Sequence, residues 1–281
     1  MGSVSIKKIF SFWEPREKIP AYIGLCIETW RKFLPEYDIN ILDYKSIYDY
    51  LDKDLYNFEK LKYFTLPKQA DAIRCALLNR YGGIWLDTDT VILSKKFKEL
   101  VDYVILNYDF AMLEENPLKE IAPHIGLIVS REPKYRKSNF FADWQRKINA
   151  NIDMYGKSKW HRKFLKLIRN KKHKDTTSWN ILGNSIVNVL LNNFYQGKYL
   201  PLDNRKIKAF PETVVYPNIG TFEAYNRFYF ENINSFESYD LDVAVVCLHN
   251  SWTPDKYKTM SKEEFLSQDI LLAKLLKSIL E

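Results

Sequence analysis

Residues 82–90, GGIWLDTDT, combine a helix-breaking pair of glycines, a short apolar run and two carboxylates one residue apart. The apolar run fits a buried strand. Side chains at positions i and i+2 of an extended backbone point to the same side, so Asp87 and Asp89 would present oxygen ligands together where that strand ends. This arrangement suits a divalent cation that also holds the phosphates of a substrate. The stretch therefore predicts a strand-end site for a nucleotide-linked or phosphorylated compound.

A helix is predicted immediately before this strand, over residues 67–81. Pro67 suits the first turn of a helix, and Gly82 is a natural residue to follow its end. Asp71 and Arg74 are three positions apart and would therefore share one face of the helix. Taken alone, such a pair is more often a surface ion pair worth about 0.2–0.5 kcal/mol. Here the pair precedes the carboxylate strand directly, which makes it a candidate part of the same site.

The remaining chain alternates between strand-like and helix-like patterns, which predicts an α/β fold with a mainly parallel sheet flanked by helices. No repeat and no clear linker divides the chain, so a single domain over residues 1–281 is expected. The other expected strands lie at 6–12, 39–41, 103–106, 110–113, 125–129, 207–215 and 243–248. The other expected helices lie at 22–33, 46–63 and 261–280, and residues 134–193 are expected to be mostly helical with a break near 171–177.

The composition indicates a folded intracellular protein. Hydrophobic residues make up 46% of the chain and aromatic residues 15%, which argues against disorder. No apolar run approaches the length of a membrane span, and the first residues lack the apolar core of a signal peptide. Three cysteines, an odd number, do not make a disulfide framework. Cys26, Cys75 and Cys247 are therefore expected to be small buried residues, and the protein is expected to be cytoplasmic.

The net charge of +7 is concentrated in one segment. Residues 157–174 contain nine Lys or Arg and no acid, so the rest of the chain carries about −2. A solvated helix face is the simplest interpretation. The interleaved aromatic residues, such as Trp160, favour peripheral contact with anionic lipid at the inner membrane face. No nucleic acid is expected as a partner, because no nucleic-acid-binding motif accompanies the charge.

At the carboxylate stretch the sequence resembles the DXD glycosyltransferases of the capsular polysaccharide synthesis type, which are related to glycosyltransferase family 32 and distantly to the clostridial glucosylating toxins. The resemblance is carried by ADAIR at 70–74, the paired leucines at 77–78 and YGGIWLDTD at 81–89. Weaker similarities extend along most of the chain. They lie at residues 9–13, 29–30, 34–37, 210–211, 216–217 and 249–252.

The resemblance implies a GT-A-like, Rossmann-related fold and transfer of a sugar, with retention, from a nucleotide-sugar such as a UDP-sugar. It implies Mn²⁺ or Mg²⁺ as cofactor and a glycan acceptor, which could be lipid-linked, in surface polysaccharide synthesis. Residues 1–130 would form the nucleotide-sugar-binding half and residues 131–205 a helical acceptor-side insertion. Residues 206–281 would add the C-terminal strands and helix that complete the site.

The resemblance also implies roles for individual residues around the metal. Asp89 would bind the metal directly, and Asp87 would contact either the ribose or the metal through water. A C-terminal histidine, His249, would be the third metal ligand, although Asn250 is an alternative. Arg74 would contact the diphosphate, so that Asp87, Asp89 and Arg74 form the catalytic set.

Further residues are implied in binding the donor. Asp71 would contact the hydroxyls of the donor sugar, and Ser251 with Trp252 would cover the departing diphosphate. Asn184 stands where relatives often have proline near the donor sugar or the acceptor. His124 stands where they often have asparagine beside the sugar, and it could be part of the acceptor pocket. Independently of the resemblance, Phe12 and Trp13 end the first predicted strand, where a flat aromatic face could stack on the nucleotide base.

A different enzyme class fits the same stretch. An apolar run followed by Asp-x-Asp-x-Thr is also typical of haloacid-dehalogenase-type phosphatases, in which the first aspartate is a nucleophile and the second a general acid or base. In that class the motif ends the first strand of the fold. Here about eighty residues precede it, which disfavours a Mg²⁺-dependent phosphatase that uses Asp87 and Asp89. A binding protein with a decayed site is disfavoured by the intact charged residues.

Overall fold

The computed structural model describes residues 7–114, 123–158, 160, 161, 163, 175–195, 207–210, 227–231 and 244–281. The basic segment 157–174 lies largely outside these residues. So do the predicted family landmarks at 211 and 216–217.

The helices and strands follow one another in a mostly alternating order through the first half of the chain. The strands are β1 Lys8–Phe12, β2 Asp38–Leu42, β3 Gly83–Leu86, β4 Thr90–Ile92, β5 Phe110–Glu114, β6 Pro123–Ser130, β7 Ile207–Phe210 and β8 Val245–Cys247. The helices are α1 Ala21–Phe33, α2 Phe58–Leu61, α3 Leu66–Tyr81, α4 Lys96–Asn107, α5 Phe140–Tyr155, α6 Asn184–Tyr195, α7 Asp255–Lys258, α8 Lys262–Leu266 and α9 Leu271–Leu280. Short 3₁₀ turns lie at Arg16–Lys18, Ile47–Asp49 and Pro133–Tyr135.

The described strands form one six-stranded sheet and one two-stranded ladder. The sheet has the order β2-β1-β3-β6-β5-β7, and β4 pairs with β8 in the ladder. Only β6 runs against the other five strands of the sheet, since it is antiparallel to both β3 and β5. The predicted α/β fold with a mostly parallel sheet is confirmed.

The central position of β3 follows from the glycines that precede it. Gly82 ends α3 with φ of +69°, a conformation that glycine adopts without strain. A methyl group on Gly82 would lie 2.3 Å from the carbonyl oxygen of Arg131, so the backbones approach too closely there for any side chain. The chain can therefore turn directly from α3 into β3, between β1 and β6.

Two hydrophobic cores lie on opposite faces of the sheet. Ile84 and Leu86 of β3 belong to one core, which also contains buried residues of α1, α4 and α9. Trp85, between them, belongs to the other core together with α3, α5 and α6. This alternation is the period of two expected of a strand that is covered on both faces.

Three secondary-structure predictions were wrong. Residues 103–106, predicted as a strand, belong to α4, where Phe97, Val101 and Val104 are buried at helical spacing. The predicted helix at 46–63 consists only of a 3₁₀ turn and the single turn of α2. The predicted helix at 261–280 is divided into α8 and α9 by a break at residues 267–270. In each case tertiary packing or a local break overrides the apolar pattern.

A buried ion pair fixes the chain that precedes α6. Lys68 Nζ lies 2.7 Å from Asp175 Oδ2, and both side chains are at most 3% exposed. The same ammonium donates to the carbonyl and hydroxyl oxygens of Thr177 at 2.9 and 2.8 Å. Burial by itself would raise the pKa of Asp175, but hydrogen bonds from Lys68, Thr177 and Thr65 outweigh it and hold this pKa below its usual value. The segment from residue 175 is therefore anchored on the first turn of α3.

The free cysteines Cys26, Cys75 and Cys247 are buried, as predicted. None of the helices in the described ranges has both the length and the apolar character that crossing a membrane requires.

Candidate active site

The paired aspartates lie in a tight turn that connects β3 with β4. The backbone N–H of Asp87 donates to the carbonyl oxygen of Gly126 on β6 at 2.8 Å, and the N–H of Thr90 donates to the carbonyl of Asp87 at 3.0 Å. The carbonyl of Asp89 accepts from the N–H of Leu248, 3.0 Å away, just after β8. The carboxylates therefore stand where the central sheet meets the two-stranded ladder.

Arg74 connects the helix α3 to these carboxylates. Its Nη2 lies 3.3 Å from Oδ1 of Asp71 and 3.0 Å from Oδ1 of Asp87. Its guanidinium lies 5.0 Å from the ring centre of Trp85, and Nη1 donates to the carbonyl oxygen of Ile125. The Trp85 Nε1–H also donates to Oδ1 of Asp87 at 2.8 Å. One oxygen of Asp87 is thus held by two donors, from Arg74 and Trp85. The predicted Asp71–Arg74 pair lies beside Asp87, with the side chain of Arg74 buried and that of Asp71 partly exposed.

Two glycines leave the space that these carboxylates occupy. A methyl group on Gly126 would lie 2.4 Å from Cε1 of His124 and 2.6 Å from Oδ2 of Asp87. A methyl group on Gly183, which directly precedes α6, would lie 2.3 Å from Oδ2 of Asp71. Only glycine at these two positions lets the carboxylates take up their observed positions without a shift.

The loop after β8 contributes the C-terminal side of the site. The N–H of Asn250 donates to Oδ2 of Asp89 at 2.6 Å, and the side-chain oxygen of Asn250 accepts from the hydroxyl of Tyr22 on α1 at 2.5 Å. The ring of His249 lies 4.2 Å from that of Trp252 and 5.6 Å from that of His124, between centroids. The loop therefore brings the imidazole of His249 to the cleft that the paired aspartates line, with the indole of Trp252 against that imidazole.

Among the described residues, the site places three carboxylates, those of Asp71, Asp87 and Asp89, near one guanidinium, that of Arg74. Burial, followed by the charge of Asp87, raises the pKa of Asp89 to about 7. Burial likewise raises the pKa of Asp71 to about 7, against the opposing effect of Arg74. Burial lowers the pKa of His124 to about 4 and also lowers that of His249, so both imidazoles are neutral at pH 7. A bound cation would favour the charged forms of both aspartates and could accept a lone pair from a neutral imidazole.

These residues surround a cleft of about 400 Å³. The cleft is lined by most of the side chains that the sequence singled out. They are Phe12, Trp13, Arg74, Asp87, Asp89, His124, His249, Asn250 and Ser251. Asp71 and Trp252 are attached to the lining through Arg74 and His249. Asn184 is not part of the lining, although Gly183 before it contacts Asp71.

Sequence reasoning missed several contributors. Trp179 lines the cleft together with Leu66 and Pro67 from the start of α3. Its signal was present as one large aromatic residue within a polar stretch, TTSWN at 176–180. Tyr22 carries no such signal, because an ordinary helix contains this residue type.

The protein alone does not enclose a metal ion in the part that the structure describes. No three His, Cys, Asp or Glu side chains there are arranged so that they could hold an ion by themselves. The donor set nevertheless fits a hard cation such as Mg²⁺ or Mn²⁺, which is commonly bound by one or two carboxylates and completed by substrate phosphates and water. Asp87 and Asp89 supply two such carboxylates.

The sequence match assigns the chain to a family. Residues 3–175, well over half of the chain, match the capsular polysaccharide synthesis protein family. The protein belongs to this family, and the predicted resemblance is confirmed. No curated protein sequence matches the chain.

Three solved structures are similar to the chain at low identity. A glycosyltransferase involved in glycosylation of the major capsid of the virus PBCV-1 is 12% identical, with 96% of this chain and 98% of that chain covered and a TM-score of 0.41. The PaToxG glycosyltransferase is 15% identical, with 66% and 69% covered and a TM-score of 0.38. Mouse xyloside xylosyltransferase 1 is 10% identical, with 89% and 99% covered and a TM-score of 0.44. The family assignment depends on the sequence match and not on these distant likenesses.

Proposed function

We propose that the protein is a metal-dependent glycosyltransferase that moves a sugar from a UDP-sugar to a glycan acceptor in the synthesis of a capsular or other surface polysaccharide. The observation that carries the proposal is that Asp71 and Asp87 share the guanidinium of Arg74, while Arg74, Asp87 and Asp89 line one cleft. The family to which the chain belongs supports the polysaccharide pathway.

In this proposal Asp87 and Asp89 hold Mn²⁺ or Mg²⁺, with His249 as the third ligand. When bound, the cation supplies positive charge that stabilises the departing nucleoside diphosphate. The side-chain oxygen of Asn250 already accepts from Tyr22, whereas the imidazole of His249 lines the cleft and is neutral. These contacts favour His249 over Asn250 as the ligand. Within the described residues, Asp87, Asp89 and His249 do not already form a cluster that could hold an ion by itself. His249 would therefore join the two aspartates when the cation binds, and the substrate phosphates would complete the coordination shell.

Arg74 would supply the second positive group toward the donor. Its side chain is 4% exposed and lines the cleft, and its Nε has no hydrogen-bond partner within the described residues. A buried donor without a partner is costly, so a ligand oxygen that approaches it would be favoured. Asp71, held beside it, would orient both the guanidinium and a hydroxyl of the donor sugar.

The aromatic and loop residues would bind the nucleotide and limit access of water. Trp13, at the end of β1, would stack on the base, and Phe12 would support it. Ser251 and Trp252 lie on the loop that Asp89 holds through Asn250, so this loop would cover the diphosphate once the donor is bound. Exclusion of water matters because hydrolysis of the donor competes with transfer. Asn184 would contribute only indirectly, through the packing of Gly183 against Asp71.

The remaining parts of the proposal depend on the sequence alone. Retention of configuration follows from the resemblance to the family. A lipid-linked acceptor at the inner membrane face would be reached through the basic segment 157–174, whose cations and aromatic side chains suit an anionic surface.

The test is release of UDP from a panel of UDP-sugars, with Mn²⁺ and without an acceptor. Slow donor hydrolysis is expected from the wild-type protein. It should be abolished in Asp89→Asn, which keeps an oxygen for the Asn250 N–H but loses the charge. Asp102→Asn is the matched control, because this carboxylate on α4 is 48% exposed, pairs with Lys98 at 2.6 Å and lies outside the cleft lining.

Two outcomes would contradict the proposal. Near-normal Mn²⁺-dependent hydrolysis by the Asp89→Asn variant would show that Asp89 is not needed as a metal ligand. Release of phosphate from p-nitrophenyl phosphate, without hydrolysis of any UDP-sugar, would favour the phosphatase alternative.

A further inference from the structure

The cleft has an exposed aromatic side chain that the proposed donor site does not use. Trp179, which is 61% exposed, lines the same cleft as Leu66, which is 43% exposed. Within the described ranges, the indole of Trp179 makes no ring contact and no hydrogen bond. Leaving so much apolar surface in water is unfavourable, since burial of apolar area contributes about 25 cal/mol per Å². Two such side chains together at the mouth of a cleft indicate a binding surface.

The backbone around Trp179 is fixed on both sides. On the N-terminal side, Asp175 and Thr177 are held by the buried ammonium of Lys68. On the C-terminal side, the carbonyl oxygen of Ile181 accepts from Asn151 Nδ2 at 2.8 Å, and that of Leu182 accepts from Trp144 Nε1 at 2.9 Å.

These anchors mean that the exposed indole does not stand on a loose loop. The anchors fix the backbone that carries Trp179 before any ligand arrives, and such preorganisation lowers the entropic cost of binding. Gly183 at the end of the segment contacts Asp71 of the donor site. The position of the indole is therefore tied to the reacting centre.

We infer that Trp179, with Leu66, is the platform on which a pyranose ring of the acceptor glycan stacks. One face of a pyranose presents C–H groups that pack on an indole, while its hydroxyls remain free for polar partners, and an indole offers a large flat surface for this contact. The inference deepens the proposed function and rests on it.

Position within the cleft favours the acceptor over the donor. The diphosphate of a donor would bind at the buried charges of Arg74 and Asp89, which are 4% and 9% exposed. The partly buried Trp13 packs against the core near them and can serve the base. The exposed mouth of the cleft, at Trp179 and Leu66, then remains for the acceptor, which must enter and leave while the donor is bound.

Nuclear magnetic resonance of the indole N–H groups tests this inference directly. The chain has seven tryptophans, and the Trp179 signal is assigned by its loss in Trp179→Phe. Methyl hexopyranosides of gluco, galacto and manno configuration, with and without a 2-acetamido group, are titrated in the presence of UDP and Mn²⁺. At least one sugar should shift the Trp179 signal, and none should shift that of Trp160, which is 71% exposed outside the cleft.

Kinetics with the sugar that shifts the signal most provide the second measurement. Trp179→Ala should raise the acceptor KM at least tenfold with less than a twofold change in the donor KM, and Trp179→Phe should recover part of the loss. Leu106→Ala truncates a side chain on α4 that is 74% exposed and does not line the cleft, so it should match the wild type with these soluble acceptors.

Three results would overturn the inference. They are a Trp179 signal that no sugar moves, a Trp179 signal that UDP alone moves, and a donor KM that rises as much as the acceptor KM. The proposed function fails in a different way, through absence of donor hydrolysis in the wild-type protein, and the titration then still decides whether the platform binds sugars.

Discussion

Substitution of Gly126 by alanine isolates the geometry of the carboxylate site from its chemistry, because no charged group is removed. The added methyl group would lie 2.6 Å from Oδ2 of Asp87, and an ordinary contact begins near 3.4 Å. The carboxylate must therefore move by about 0.8 Å. It cannot swing away freely, since its other oxygen is held by Trp85 at 2.8 Å and by Arg74 at 3.0 Å.

The size of this displacement sets the expected loss of activity. A misplacement of about 1 Å in a catalytic site can cost on the order of 10²-fold in rate. We therefore expect Gly126→Ala to lower kcat/KM for donor hydrolysis by roughly 10²-fold, or about 2.7 kcal/mol. Overpacking should cost about 1–3 kcal/mol of stability, so the protein should still fold.

The assay is UDP release with Mn²⁺, accompanied by urea denaturation of the same variant. Gly24→Ala is the matched control, because a methyl group on Gly24 within α1 meets nothing within 4 Å. It should keep full activity and gain about 0.5–1 kcal/mol of stability, the helix preference of alanine over glycine. A folded Gly126→Ala protein with activity within twofold of the wild type would refute the reasoning.

Three further predictions concern stability and donor binding. Lys68→Met should cost about 3–5 kcal/mol in urea denaturation, because it leaves the carboxylate of Asp175 buried without its partner. Since the pKa of Asp175 is lowered in the folded protein, its contribution is present above the unfolded pKa of about 4 and is lost as pH falls below it. Acid should therefore destabilise the wild type more than Lys68→Met, and equal acid sensitivity of the two would argue against the pair. Gly82→Ala should cost about 3 kcal/mol or more, since it combines a positive φ with a clash against the backbone of Arg131, and a melting temperature like that of the wild type would contradict this. Trp13→Ala should weaken UDP binding by about 1–3 kcal/mol if the indole stacks on the base, and unchanged affinity in calorimetry would remove Trp13 from the site.

Local signals accounted for the predictions that were confirmed. A buried strand, a glycine stop and an apolar helical stripe are each encoded within a few residues, because side-chain period and backbone sterics act locally. The end of α3 at Gly82 and the short strand before Asp87 could therefore be read directly. The same local reasoning failed at residues 103–106, where a run rich in strand-forming residues lies in α4 and buries only one face.

Which residues come together in one site depends on contacts between distant parts of the chain. The sequence alone determined the strand-end carboxylates, the charged pair on the preceding helix and the family. Only the tertiary structure decided that Arg74 is shared by Asp71 and Asp87, that Asn250 reaches Asp89 across 161 positions, and that Gly126 leaves room for the carboxylate.

The position of Trp179 in the cleft was also decided by the fold. It depends on a buried ion pair between Lys68 and Asp175, which are 107 positions apart in the sequence. Such contacts have no local sequence signature, because they form only when the packing of two sheet faces brings remote segments within a few ångströms of each other.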